Sequence, residues 1–215
     1  LICGTTLDIN PRYPPVKKPI LYYAAVILLL SSCSKSPDII LEDRTLTRYD
    51  PSNYFTFFTI RAGQHFADGN AYKFIETQEL KFSVKFDSSA IYRSFLPINQ
   101  YDINKLYGFS DNNAGHHQFS ARFGWRWSDN ALRLFAYVYN NGVVVSKELG
   151  SVTIGKEVNC GIKVYGPAYI FSCEEIIEYL PRTSTTPLAK GYLLYPYFGG
   201  DEPAPHDINI WIKNL

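Results

Sequence analysis

Methionine is absent from this sequence, and cysteine and histidine each occur only 4 times. Scarce histidine leaves little material for a metal centre. His116 and His117 are adjacent and point apart on extended backbone, while His65 and His206 sit singly in polar stretches. No metal ligands and no cofactor are assigned on this basis. Structural calcium would have to use grouped oxygens such as Asp111, Asn112 and Asn113, or Asp201 and Glu202. An excess of charge is missing too: 21 basic side chains face 20 acidic ones, which gives no electrostatic footprint for nucleic acid. The apolar run Ile20–Leu30 is too short to cross a bilayer, since a spanning helix needs roughly 20 residues. There is no Gly-rich phosphate loop, no His-Glu-x-x-His and no Gly-x-Ser-x-Gly. No apolar stripe of helical period persists over three turns, so a helical bundle is excluded.

That short apolar run has informative flanks. Lys17-Lys18 precede it, and Leu30-Ser31-Ser32-Cys33 closes it, giving the charged, apolar and small-residue order of a secretory signal. The closing tetrapeptide resembles the bacterial lipobox. The resemblance implies that Cys33 is lipidated and becomes the first mature residue, anchored to a membrane through its acyl chains. Ser34 resembles the sorting pattern for the outer membrane of the bacterial envelope. The expected organisation is a leader over 1–32, with 1–16 an upstream extension, a lipidated tether over 33–49, and one domain over 50–215. Removing Arg12, Lys17, Lys18 and Asp8 leaves the mature chain one acid in excess.

Within the domain, alternation dominates. Strands are expected at Tyr54–Arg61, Leu80–Phe86, Phe119–Trp127, Leu132–Tyr139, Val143–Leu149, Cys160–Val164, Tyr169–Cys173, Tyr192–Tyr197 and Ile208–Ile212. Turn residues separate them at Asp129-Asn130, Asn141-Gly142, Gly166-Pro167 and Gly199-Gly200. Asn141-Gly142 suits a type I′ hairpin. Aromatics form 16% of the chain, with 17 tyrosines, and favour sheet. Asn99–Leu106 reads as a helical turn, and Glu174–Leu180 as a short helix or irregular strand. Many short strands at this spacing predict an all-β antiparallel sandwich or jelly roll.

Centring a turn on Gly166-Pro167 sets Cys160 opposite Cys173 as a non-hydrogen-bonded pair. Their α-carbons would lie about 4.5 Å apart, near the lower limit for a disulfide. Export to an oxidising compartment favours a Cys160–Cys173 bond. The alternative is two thiols packed as small hydrophobes.

Phasing the central meander on its turns sends Phe119, Ala121, Phe123, Trp125 and Trp127 inward with Leu132, Leu134, Ala136 and Val138. The opposite face carries Arg122, Arg126, Arg133, Phe135, Tyr137 and Tyr139, with Glu148 facing Phe135 across the next hairpin. Aromatic planes stack on the CH faces of sugars, and arginine forks bind carboxylate or sulfate bidentately. Arg122, Arg126, Tyr137, Tyr139, Arg133 and Glu148 are therefore the expected ligand-binding residues, set against an ordinary solvated sheet face.

The tail completes the picture. A strand at Tyr192–Tyr197 is followed by a Gly199-Gly200 loop with Pro203 and Pro205. Asp207 then opens the alternating strand Ile208–Ile212. This layout resembles the end of concanavalin A-like jelly rolls, among them laminarinase-type glucanases and alginate lyases. The glucanase motif Glu-x-Asp-x-x-Glu, which supplies the paired carboxylates of a retaining hydrolase, has no match here. The lyase pattern of an Arg-rich strand, a Gln-x-His pair and a late tyrosine is met only by Arg122, Arg126 and Tyr192, Tyr195 or Tyr197. His117-Gln118 is adjacent and reversed. No catalytic residue is assigned on this basis; His117 and Tyr195 are the weak candidates. The leading expectation is a lipid-anchored, outer-membrane jelly-roll protein that binds a glycan or polysaccharide. The alternatives are a polysaccharide lyase or glycoside hydrolase using Arg122, His117 and Tyr195, and a structural envelope lipoprotein with protein partners.

Overall fold

The computed structural model describes residues 54–215; the leader, Cys33 and the whole tether lie outside the described residues. The described chain forms β1 (Thr56–Ile60), β2 (Phe74–Thr77), β3 (Glu79–Phe86), β4 (Asn104–Ser110), β5 (Phe119–Ser128) and β6 (Ala131–Asn140). It continues with β7 (Val143–Val152), β8 (Glu157–Tyr165), β9 (Ala168–Cys173), β10 (Ile176–Pro181), β11 (Ala189–Leu194) and β12 (Ile208–Asn214). They make two 6-stranded antiparallel sheets, ordered β1-β12-β3-β8-β9-β10 and β2-β11-β4-β5-β6-β7. The late strands β11 and β12 slot between early ones, so each sheet is closed by non-local pairing.

Three hairpins follow the expected registers. Asp129 and Asn130 both take positive φ (52° and 57°), and Phe119 pairs with Asn140 across that turn. Asn141 and Gly142 do the same (49° and 83°), the type I′ geometry whose twist matches its strands. Tyr137 then faces Ser146, and Phe135 faces Glu148. The inner face of β5 and β6 is the core: Ala121, Phe123, Trp125, Leu134, Ala136 and Val138 are fully buried. They pack on Phe82, Val84, Ile162, Tyr169 and Phe171 of the other sheet. Phe123 meets Phe82 and Phe171 edge-on, with ring centroids 5.5 and 5.3 Å apart.

One expectation shifts in place and another needs correction. The helical turn expected within Asn99–Leu106 is present but sits earlier, as a 3₁₀ turn over Pro97–Tyr101, and β4 begins at Asn104. Cys160 does face Cys173, yet the disulfide is not formed, and both are buried free thiols. The Cys160 thiol is raised well above its usual range by its contact with Cys173 and by burial.

A buried polar cluster ties the sheets together at one end. Asp111, just past β4, is fully buried and accepts from Arg182 Nε at 2.8 Å and Tyr169 Oη at 2.6 Å. Its other oxygen accepts from the Asn112 and Lys190 amides at 2.6 and 3.0 Å. Tyr169 belongs to β9 of the first sheet, Arg182 follows directly on β10 of that sheet, and Lys190 belongs to β11 of the second. Both carboxylate oxygens are thus occupied by protein donors, the condition under which a buried ion pair is tolerated.

Candidate functional site

The outer face of the second sheet carries a groove, and an irregularity in β4 builds its floor. Lys105 pairs with Gly124 but Gly108 pairs with Arg122, so β4 holds one residue more than β5 over this stretch. That is a β-bulge, which re-aims side chains. Leu106 and Tyr107 consequently both enter the core, while Lys105 turns to the outer face beside Arg122. Gly108 leaves the space Arg122 needs. A Cβ there would lie 2.2 Å from the Ala121 carbonyl oxygen and 2.4 Å from Arg122 Cα. Gly108→Ala is therefore expected to lower the urea midpoint, at a cost on the order of 1–3 kcal/mol for forced overpacking. A wild-type midpoint would mean that β4 and β5 can part without penalty.

Two further segments close the walls. The backbone of Tyr197 bonds reciprocally with Lys105, at 2.9 and 2.8 Å, which puts both side chains on the same side. The turn from Asp111 to Gln118 brings His116 and His117 over β5 and β11. It is held by the Asp111 cluster and by Ser120 Oγ, which donates to the His116 carbonyl at 2.7 Å. The result is a cavity of about 260 Å³ lined by Lys105, His116, His117, Arg122, Tyr139, Tyr197 and Gly199-Gly200. A second cavity of about 380 Å³ shares Arg122, His116 and Tyr197, and extends toward Tyr72 and Tyr192.

The electrostatics are unbalanced. Arg122 is 6% exposed, and among the described residues its buried Nε has no hydrogen-bond partner. Among the described residues, neither cavity is lined by an aspartate or glutamate. Burial pushes the Arg122 guanidinium down to about 10, with partial relief from the surrounding tyrosines. Lys105 is lowered to about 8, first by burial and then by the Arg122 charge, while Asp102 at the rim opposes the shift. Its Nζ donates to the Ile103 carbonyl and sits 4.6 Å above the Tyr137 ring, with Arg122 5.7 Å from the same ring. The two cations thus share one aromatic floor.

His116 is a neutral donor. Burial, the Arg122 charge and then His117 lower it to about 4. Its backbone N–H donates to Tyr192 Oη at 3.2 Å, and its Nδ1 lies 2.9 Å from the same hydroxyl. In the tautomer in which that hydroxyl donates to Nδ1, the ring proton resides on Nε2. His117 is exposed and packs on the Tyr139 ring at 5.4 Å.

The expected site residues divide. Arg122, Tyr139 and His117 line the groove, with Tyr137 as its buried floor. Arg126, Arg133 and Glu148 do not join them. Arg133 pairs with Glu148 at 2.6 Å, and Arg126 lies 3.8 Å from the same carboxylate. Arg126 also donates to the Tyr101 carbonyl at 2.9 Å and lies over Phe135. These charges are satisfied by each other. Tyr195 packs its ring on Phe58 and Tyr107 and also lines the second cavity, where Tyr192 and Tyr197 are the late tyrosines that act on Arg122. Lys105 and His116 were not among the expected binding residues.

The chain matches no protein-family model and no curated protein. Among solved structures it is similar to the alginate lyase AlyC3, with a TM-score of 0.50 and 9% identity over 75% of this chain and 74% of that one. The catalytic domain of an endo-1,3-β-glucanase (laminarinase) from Thermotoga petrophila RKU-1 gives a TM-score of 0.48 and 11% identity, covering 74% and 75%. A glycoside hydrolase family 16 endo-glucanase from Bacteroides ovatus gives 0.46 and 11%, covering 78% and 83%. At these identities the likeness is one of fold. The described chain is an antiparallel β-sandwich of the concanavalin A-like jelly-roll type.

Proposed function

We propose that the groove over β4 and β5 binds an acidic polysaccharide, with Arg122 and Lys105 receiving the carboxylate or sulfate of one sugar. The observation that carries this reading is the buried Arg122 guanidinium with its unpartnered Nε. A charge withdrawn from water is costly unless something completes it. An oxyanion would supply the missing acceptor in the bidentate form that a guanidinium fork favours. Tyr139 and Tyr197 offer aromatic surface to the ring that carries the anion, and His116 Nε2–H offers a neutral donor. The lipobox-like Leu30-Ser31-Ser32-Cys33 supports attachment of this domain to a bacterial outer membrane through acyl chains at Cys33.

The test is binding of the soluble domain to uronate or sulfated polymers against a neutral glucan of similar length, by calorimetry. Retention of the acidic polymer alone is expected. Equal affinity for the neutral glucan would overturn the proposal. The pH dependence has a definite sign. Lys105 is charged below about 8 and neutral above it, so affinity should weaken as pH rises from 7 to 9. Binding above pH 8 should then take up a proton, read from calorimetry in buffers of different ionisation enthalpy. Lys105→Met should flatten this dependence, and an unchanged profile in that variant would remove Lys105 from the site.

One observation favours a second reading, β-elimination of a uronate. His117 and Tyr197 line the same cavity as the two cations. Cations would stabilise the charge that builds on the uronate carboxyl as the C5 proton leaves, and a histidine and a phenol are suitable proton carriers. Paired-carboxylate hydrolysis finds no residues in either cavity. Ultraviolet absorbance of an unsaturated uronate, lost in Tyr197→Phe, would mark the lyase; its absence leaves binding alone.

A further inference from the structure

Beyond the cations, the second cavity leads to an aromatic shelf at the sheet edge. Tyr72 and Phe74 are 71% and 74% exposed. Their rings meet edge-on at 5.1 Å, and Tyr72 lies 5.2 Å from Tyr192 at an interplanar angle of 31°. Phe74 faces Tyr192 across the β2–β11 pair. Tyr192 in turn is fixed by its hydrogen bond to His116, so the shelf is coupled to the wall of the cationic pocket. A contiguous group of large aromatic rings left in water, Tyr72 just before β2 and Phe74 at its start, constitutes a recognition surface rather than packing.

We infer that Tyr72, Phe74 and Tyr192 form a stacking subsite for the sugar next to the one whose anion reaches Arg122. This inference rests on the acidic-polysaccharide reading and adds that the ligand is a chain, recognised over at least two successive rings. Continuity argues for the same ligand at both places: Arg122, His116 and Tyr197 line both cavities, and Tyr72 and Tyr192 line the second. The chemistry differs along the groove. The pocket over Arg122 selects for negative charge, whereas the shelf offers only ring planes and one phenol edge, which suit the CH face of a pyranose. The other occupant for this location is a strand from a second copy, because among the described residues β2 is an edge strand with a free ladder side.

The experiment compares a uronate monosaccharide with a uronate hexasaccharide, each titrated by calorimetry into the wild-type domain, the Tyr72→Ala/Phe74→Ala double variant and Arg122→Met. A second pair, Tyr72→Leu/Phe74→Leu, keeps apolar area while removing the planes. Both positions are solvent-exposed, and the thermal midpoint of each variant is expected to match wild type. The expected result is a loss of about tenfold or more in hexasaccharide affinity in both double variants, or about 1.4 kcal/mol, with monosaccharide affinity unchanged. Arg122→Met should lose both ligands. Full hexasaccharide affinity in the double variants would overturn the shelf while leaving the cationic pocket standing. A parallel loss of monosaccharide affinity would overturn it as well, since the rings would then act through the pocket. Unchanged binding of both ligands by Arg122→Met would instead defeat the underlying reading. A wild-type dimer in sedimentation that the double variants abolish would assign the shelf to a second copy and overturn the inference.

Discussion

Arg122→Met should abolish binding of acidic polysaccharide and, in the same protein, raise the stability of the fold. Removing the guanidinium removes charge-assisted hydrogen bonds, each worth about 1.5–3 kcal/mol, so affinity should fall by about ten- to a hundredfold or more. Stability moves the other way because the unliganded protein holds this charge buried and incompletely partnered. An unbranched apolar side chain of similar length fills the same space without that desolvation cost. The gain is expected on the order of 1–3 kcal/mol, read as a higher urea midpoint with an unchanged slope. Most substitutions of buried residues destabilise, so a rise here is a discriminating outcome. A variant that is less stable than wild type, or that still binds, would show that Arg122 has a partner in the free protein.

The opposite behaviour is expected at the other buried arginine. Arg182→Ala leaves the Asp111 carboxylate in the interior, facing Tyr169 with its principal donor gone. Breaking a buried pair from one side costs about 3–5 kcal/mol, a large fraction of the stability of a domain this size. Asp111 itself would be raised by burial, but the hydrogen bonds from Arg182 and Tyr169 and from two backbone amides outweigh it, and the group is held below its usual range. Its stabilisation is therefore complete above the unfolded carboxylate value of about 3.9 and is lost as pH falls through the lower folded value. Acid unfolding of wild type should accordingly include this step, and Arg182→Ala should unfold at a higher pH. The same variant should loosen the turn carrying His116 and His117, so its ligand affinity should fall alongside its stability. A midpoint within about 1 kcal/mol of wild type would mean that Asp111 becomes protonated at little cost and that the cluster is not the tie between sheets.

Much of this was written locally in the chain. Asp129-Asn130, Asn141-Gly142 and Gly166-Pro167 each tolerate or demand turn geometry, and the alternation on either side of them leaves one register. From that register came the inward Phe123 and Trp125 and the outward Arg122 and Tyr137. What escaped was set by non-local pairing. Strand β2 alternates but spans only 4 residues at a sheet edge, and β10, also at an edge, has no clean period of two, so its sequence left a short helix or irregular strand open. Strand β4 was hidden because its bulge breaks the alternation: counting back from Phe109 assigns Lys105 to the core. Tyr197 and His116 reach the groove only through pairing and turn contacts made far along the chain. Arg126 and Arg133 were placed on the correct face. Their charges are met by Glu148 and Asp129, and a sequence period cannot report such pairing.

The bulge in β4 has a consequence for how relatives of this protein should be sought. A chain bearing the same lysine and arginine letters, but without the supernumerary residue between them, would aim its ammonium group into the hydrophobic layer and could not assemble the dication. Shared letters at shared spacing therefore do not certify a shared pocket. The diagnostic is an offset: the interval from lysine to glycine on one strand must exceed by one the matching interval on its neighbour.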